Sequence, residues 1–172
     1  MTQTTPQSKP PKPHSKTIRV AAMAIFTALA VVGSYIPIPG PIPSLAFDSL
    51  AGFFVALYFG VIEGAFVCGM GHIATAAIHG FPYGWLHAPI ALAMALAGVS
   101  IALAVKMNKR WGFIPGIVAA VIINTVVVFP LAPWLGGVEV AVALVPSLVF
   151  AASVNVAIAA VAYVGIRGKL RI

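Results

Sequence analysis

Between Arg19 and Lys106 the chain has no lysine or arginine, and only two acids, Asp48 and Glu63, fall in that stretch. All ten basic residues sit in three clusters: Lys9, Lys12, Lys16 and Arg19; Lys106, Lys109 and Arg110; Arg167, Lys169 and Arg171. A soluble domain carries roughly a quarter charged residues. Here 8% are charged and 61% are hydrophobic, so the chain is an integral membrane protein of one domain. The net charge of +7 is then an orientation signal and not a nucleic-acid footprint.

The apolar runs predict an all-α bundle of six transmembrane helices over residues 20–36, 45–58, 61–78, 87–107, 112–133 and 145–166. A span needs about 20 apolar residues, so the second is short. Under the positive-inside rule all three basic clusters face the cytoplasm. That requires an even number of crossings between Arg19 and Lys106 and between Arg110 and Arg167; four and two satisfy it. Both termini are then cytoplasmic. Residues 1–15 (MTQTTPQSKPPKPHS) are too polar and proline-rich to offset their ordering entropy and are expected to form a disordered tail ahead of a membrane domain over 16–172. The run IPIPGPIPS predicts an extended loop, since four prolines cannot continue a helix.

The outer side is expected to comprise the loop 37–44, the turn 80–86 and the loop 132–143, none with Lys or Arg. These segments and their edges place Tyr35, Tyr83, Trp85 and Trp134 at or near the interface, where an aromatic belt at the headgroups accounts for such rings. Glu139 belongs to that outer side as a solvated residue. Glu63 falls at the cytoplasmic end of the third helix, as an interface residue.

Polar residues at depth carry the functional information. His72 and His79 are two turns apart and share a helix face. Gly64, Cys68, Gly71 and Thr75 form a small-residue stripe beside them, which suits close helix packing and turns the imidazoles into the bundle. His87 opens the next helix after the Gly-Phe-Pro-Tyr-Gly-Trp turn. Asn124 aligns with Gly116 and Ala120, and Asn155 with Ala151 and Ala159, so each amide lies on a packing face, where it either bridges helices or lines a cavity. Thr75 is expected only to bond its own backbone. An intramembrane carboxylate such as Asp48 is a functional candidate by default. Together these residues predict a small-molecule site opening outward.

Other chemistries lack their residues. His72 and His79 stand about 10 Å apart along the axis, too far for one ion, and no HxxxH, HExxH or thiol cluster is present, so neither metal nor cofactor is expected. One cysteine, Cys68, allows no internal disulfide. No GxSxG or paired acids point to an enzyme, and no GxxxxGK[ST] is present to cradle ATP phosphates.

The AxxxA step Ala24–Ala28 in AIFTA, the proline-rich first loop and FGVIEGAFVCGMGHIATAAIHGFPYG resemble the substrate-binding S components of energy-coupling-factor (ECF) vitamin transporters, from Lys16 onward. FDSLAGFFVALYFG with GFPYGWLH looks most like the α-ribazole branch. The resemblance implies a prokaryotic plasma-membrane protein that binds a vitamin or precursor from outside. It also implies docking through Ala24 and Ala28 on a transmembrane coupling protein driven by two cytoplasmic ATPases. Metal-specific members begin Met-His, whereas this chain begins Met-Thr-Gln, which disfavours cobalt or nickel. For α-ribazole, a cobalamin precursor, the base would stack on Phe81, Tyr83 or Trp85. Asp48 and His79 or His87 would meet the sugar hydroxyls, with His72, Asn124 and Asn155 as the floor. A stand-alone secondary carrier using His72 and Asp48, or a structural subunit of a larger complex, are the alternatives.

Overall fold

The computed structural model describes residues 15–38 and 46–167. All but Ser15 of the tail expected at 1–15, most of the proline-rich loop and the expected start of the second helix at Leu45 lie outside the described residues. Ser15 ends the tail early: its hydroxyl accepts from the Ile18 amide and caps α1, Lys16–Ser34. The first helix therefore starts four residues ahead of the expected Val20 and stops two short of Ile36.

The next elements are α2 (Asp48–Tyr58), α3 (Val61–Ile78), α4 (His87–Met107), α5 (Phe113–Val126), α6 (Val128–Leu135) and α7 (Val138–Ile166). The boundaries of α3 and α4 coincide with those expected. Pro89, Pro115 and Pro130 are each the third residue of a helix, where a missing N–H is tolerated.

Five segments are long and apolar enough to cross a membrane: Lys16–Ser34, Val61–Ile78, Gly84–Met107, Phe113–Leu135 and Val138–Ile166. At 11 residues α2 rises only about 16 Å. It is nevertheless the hub, packed on α1, α3, α4 and α7, with Phe53, Val55, Ala56 and Leu57 buried. It also returns the chain. α1 and α3 both finish at the same end of the bundle, and α2 runs back between them from the level of Gly33, whose carbonyl accepts from the Phe47 amide.

Two expectations change in the last third. The fifth helix expected over 112–133 is interrupted at Val127, which keeps helical angles, so Phe113–Leu135 remains one apolar span. Pro130 has no N–H for the Val126 carbonyl, so the ladder cannot run through and a second short helix begins. The outer loop expected at 132–143 is helical on both sides of Gly136 and Gly137, the one tight turn, where both residues have φ of +107°. α7 starts at Val138, seven residues before the expected Val145, and passes through Pro146.

The small-residue stripe brings backbones together. A Cβ on Gly64 would lie 2.6 Å from Ala56 Cα, and one on Gly52 would lie 2.9 Å from Cys68 Cα. Buried Phe53, Ile101, Val156 and Tyr163 fill the half of the bundle near the basic residues.

At that end Glu63 is not an interface residue. It is 1% exposed and pairs with the Arg19 guanidinium, joining α3 to α1. The short α2–α3 turn tucks the first turn of α3 inside, and Arg19 covers it. Removing one partner strands a buried carboxylate, whereas replacing the pair by apolar groups does not. Arg19→Ala is expected to lower the melting temperature in detergent, and the double variant Arg19→Ala/Glu63→Leu to recover most of it. Equal melting of the wild type and Arg19→Ala would show that the pair carries no stability.

Candidate functional site

A cavity of about 400 Å³ occupies the end of the bundle opposite Arg19, Lys106, Arg110 and Arg167. The end of α1 (Ser34), the start of α2 (Asp48, Ser49), the end of α3 (His72 to His79) and the start of α4 (His87 to Met94) form one side. Asn124 of α5, Val128, Leu131 and Leu135 of α6, and Leu144 to Asn155 of α7 form the other. Exposed His79, Pro82 and Tyr83 make the rim. Among the described residues none of the lining is Lys or Arg, and Asp48 is its one acid.

The turn after α3 is set by its own backbone. Gly80, at φ +78°, follows the helix in the left-handed region; its amide bonds the Ala77 carbonyl and the Phe81 amide bonds that of Ala76. This is a Schellman closure, and it carries Phe81 to φ +50°. The chain then turns so that the Tyr83 N–H donates to His87 Nε2 at 3.3 Å. His87 Nδ1 lies 3.1 Å from His72 Nε2, linking α4 to α3. Ser34 Oγ donates to the Val31 carbonyl and also lies 3.0 Å from His79 Nε2, linking α1 to α3. Ser49 donates to Asp48 Oδ1 at 3.1 Å.

Deeper in, the Asn155 amide donates to the carbonyls of Ala46 and Ala151, at 3.0 and 2.9 Å. It is 2% exposed, and its Oδ1 has no partner among the described residues. Asn124 donates to Met94 Sδ, tying α5 to α4. Asn124 bridges two helices, Asn155 ties α7 to the segment just before α2, and both residues line the cavity.

Seven of the nine expected ligand residues therefore line one cavity: Asp48, His72, His79, Tyr83, His87, Asn124 and Asn155. Phe81 and Trp85 do not. Phe81, 42% exposed, rests edge-on against His87, and Trp85, 59% exposed, packs edge-on against Trp134 outside the rim. Of the three alternative stacking partners, only Tyr83 reaches the cavity. Phe81 is held against His87 and Trp85 against Trp134, which leaves Pro82 and Tyr83 as the turn's contribution to the rim.

Residues 19–167 match the sequence model of the family described as ECF transporter, substrate-specific component. The chain belongs to this family. The fold agrees: a solved structure of the S component of a bacterial ECF transporter aligns with a TM-score of 0.64 over 90% of this chain and 98% of that one, at 20% identity. No curated protein matches the chain by sequence.

In this S component the lining also includes Ser34 and Ser49, which carried no signal in the sequence, and Thr75, which was expected only to bond its own backbone or help packing. Thr75 shares the face of His72 and His79, and its hydroxyl donates to the His72 carbonyl as expected, yet it also lines the cavity. Ser49 adjoins Asp48, and Ser34 ends α1. The leucines of α6 and α7 carried no signal, since nothing local separates a cavity-lining leucine from one facing lipid. Among the described residues no three His, Cys, Asp or Glu side chains cluster to hold a metal ion.

Proposed function

We propose that this S component captures α-ribazole, or a vitamin precursor of that size and polarity, from outside a prokaryotic plasma membrane. It then delivers the ligand through a transmembrane coupling protein driven by two cytoplasmic ATPases. The observation that carries this reading is the cavity itself: apolar walls, a few convergent polar groups, and a position at the end free of basic residues. The positive-inside rule assigns that end to the outside. The return of the chain along α2 supports six crossings with both termini inside.

The volume lies within the range of about 300–1,000 Å³ usual for small-molecule sites. The aromatic base fits against Ile90, Leu131 and Leu148, and the ribose hydroxyls fit Asp48, Ser49 and His79. Ala24 and Ala28 are exposed one turn apart on α1, and no other helix among the described residues covers them. They leave a shallow strip on which a partner helix can approach closely.

The purified chain is expected to bind α-ribazole saturably at one site by calorimetry in detergent. In liposomes it is expected to transport only when the coupling protein and ATPases are present. Transport by the chain alone would instead support a secondary carrier. Ala24→Leu/Ala28→Leu is expected to bind ligand like the wild type while cutting ATP-driven uptake at least about tenfold, since the bulk blocks close approach. Unchanged uptake would remove that face from the docking surface.

A further inference from the structure

We infer that the cavity is a hydrogen-bond acceptor surface, so that its ligand is a neutral or cationic molecule rich in hydroxyl or amino groups, and that phosphorylated or carboxylated forms of such molecules are refused. The inference rests on reading this cavity as the ligand site.

Most hydrogens of the polar lining groups are already spent within the protein. Ser49 donates its hydroxyl hydrogen to Asp48, Thr75 to the His72 carbonyl and Ser34 to the Val31 carbonyl. A hydroxyl has one hydrogen, so toward a ligand these oxygens can only accept. Both amide hydrogens of Asn155 go to the Ala46 and Ala151 carbonyls, leaving its buried Oδ1 as an unmatched acceptor. Since Ser34 has given its hydrogen to Val31, its contact with His79 is a donation from His79 Nε2–H. In neutral His79 the remaining nitrogen, Nδ1, is then also an acceptor. Asp48 adds a carboxylate, and no Lys or Arg among the described residues lines the space to balance it.

One imidazole supplies the contrast. Tyr83 N–H donates to His87 Nε2, so that nitrogen carries a lone pair and His87 holds its proton on Nδ1. Nδ1–H then donates to His72 Nε2, which places the proton of neutral His72 on its own Nδ1. That N–H has no protein partner among the described residues, and His72 lines the cavity. The relay from the turn through His87 therefore positions one donor, joined by the Tyr83 hydroxyl and one Asn124 amide hydrogen. Several acceptors and few donors suit a ligand of inverse pattern: donors toward Asp48 and Ser49, and a single acceptor such as a ring nitrogen or carbonyl toward His72. A phosphate or carboxylate would bring more acceptors and a second negative charge beside Asp48, and like charges in an apolar site repel strongly.

The test is calorimetry on the whole chain in detergent with matched probes: α-ribazole, thiamine and riboflavin, each against its 5′-phosphate or monophosphate, with biotin as a carboxylate control. One unphosphorylated member is expected to bind, with its phosphate at least about a hundredfold weaker. A phosphate or biotin binding as tightly as the best neutral or cationic probe overturns the inference, as does failure of every probe. If thiamine or riboflavin binds and α-ribazole does not, the acceptor surface stands and the α-ribazole reading falls. If α-ribazole and its phosphate bind equally, the reverse holds. Nitrogen-15 NMR of labelled histidines adds a readout independent of the ligand: protons are expected on Nδ1 of His72 and His87. A proton on His72 Nε2 removes the relay.

Discussion

Alanine at Asp48 is expected to weaken α-ribazole binding at least about a hundredfold while leaving the protein folded in the membrane. The carboxylate is the one formal charge in the lining among the described residues, and it stands at the first turn of α2 beside Ser49. Hydrogen bonds to a charged acceptor contribute about 1.5–3 kcal/mol each. Two of them, from ribose hydroxyls, account for a loss of that size. Stability should not suffer, because truncation removes a carboxylate from an apolar setting without stranding a counter-charge. Calorimetry alongside thermal unfolding separates the two effects. Wild-type affinity in Asp48→Ala would end its role as a ligand group, and loss of folded protein would make it structural.

Leucine at Gly98 is expected to destabilise the bundle by about 1–3 kcal/mol or more and to reduce the yield of monodisperse protein. A Cβ there would stand 2.7 Å from the Gly64 carbonyl oxygen and 2.9 Å from Cys68 Sγ. The first is backbone and cannot swing aside. α4 would have to move off α3, and that contact aligns His87 with His72. Binding should fall along with stability, unlike in Asp48→Ala, where binding falls alone. An unchanged melting temperature would show that the α3–α4 crossing has slack that the Gly64–Gly98 approach denies.

Much of this architecture was legible in the chain. The stretch from Arg19 to Lys106, without a lysine or arginine between them, defined the membrane class, and the basic clusters marked one end of the bundle. α3 and α4 were bounded by Gly60, the Gly80–Leu86 turn and Lys106, all local signals. His72 and His79 share a face by helical period alone, and Asn124 and Asn155 lie on lines of small residues, so their inward placement followed from spacing.

What the sequence could not settle depended on contacts between distant segments. The break at Val127 and the helical start at Val138 hinge on how Pro130, Pro146 and the Gly136–Gly137 pair divide the work of turning the chain. Pattern alone does not say which proline a helix tolerates. Glu63 looked superficial because its partner, Arg19, is 44 positions away. Phe81 and Trp85 sit in the same turn as Tyr83, yet of the three rings only Tyr83 lines the cavity, while Phe81 rests on His87 and Trp85 on the sequence-distant Trp134. Above all, the donor and acceptor pattern of the cavity is a property of pairs: Ser34 with His79, His72 with His87, Asn155 with Ala46. Residue type shows that a group can bond, but only the packed chain decides which hydrogens are already spent.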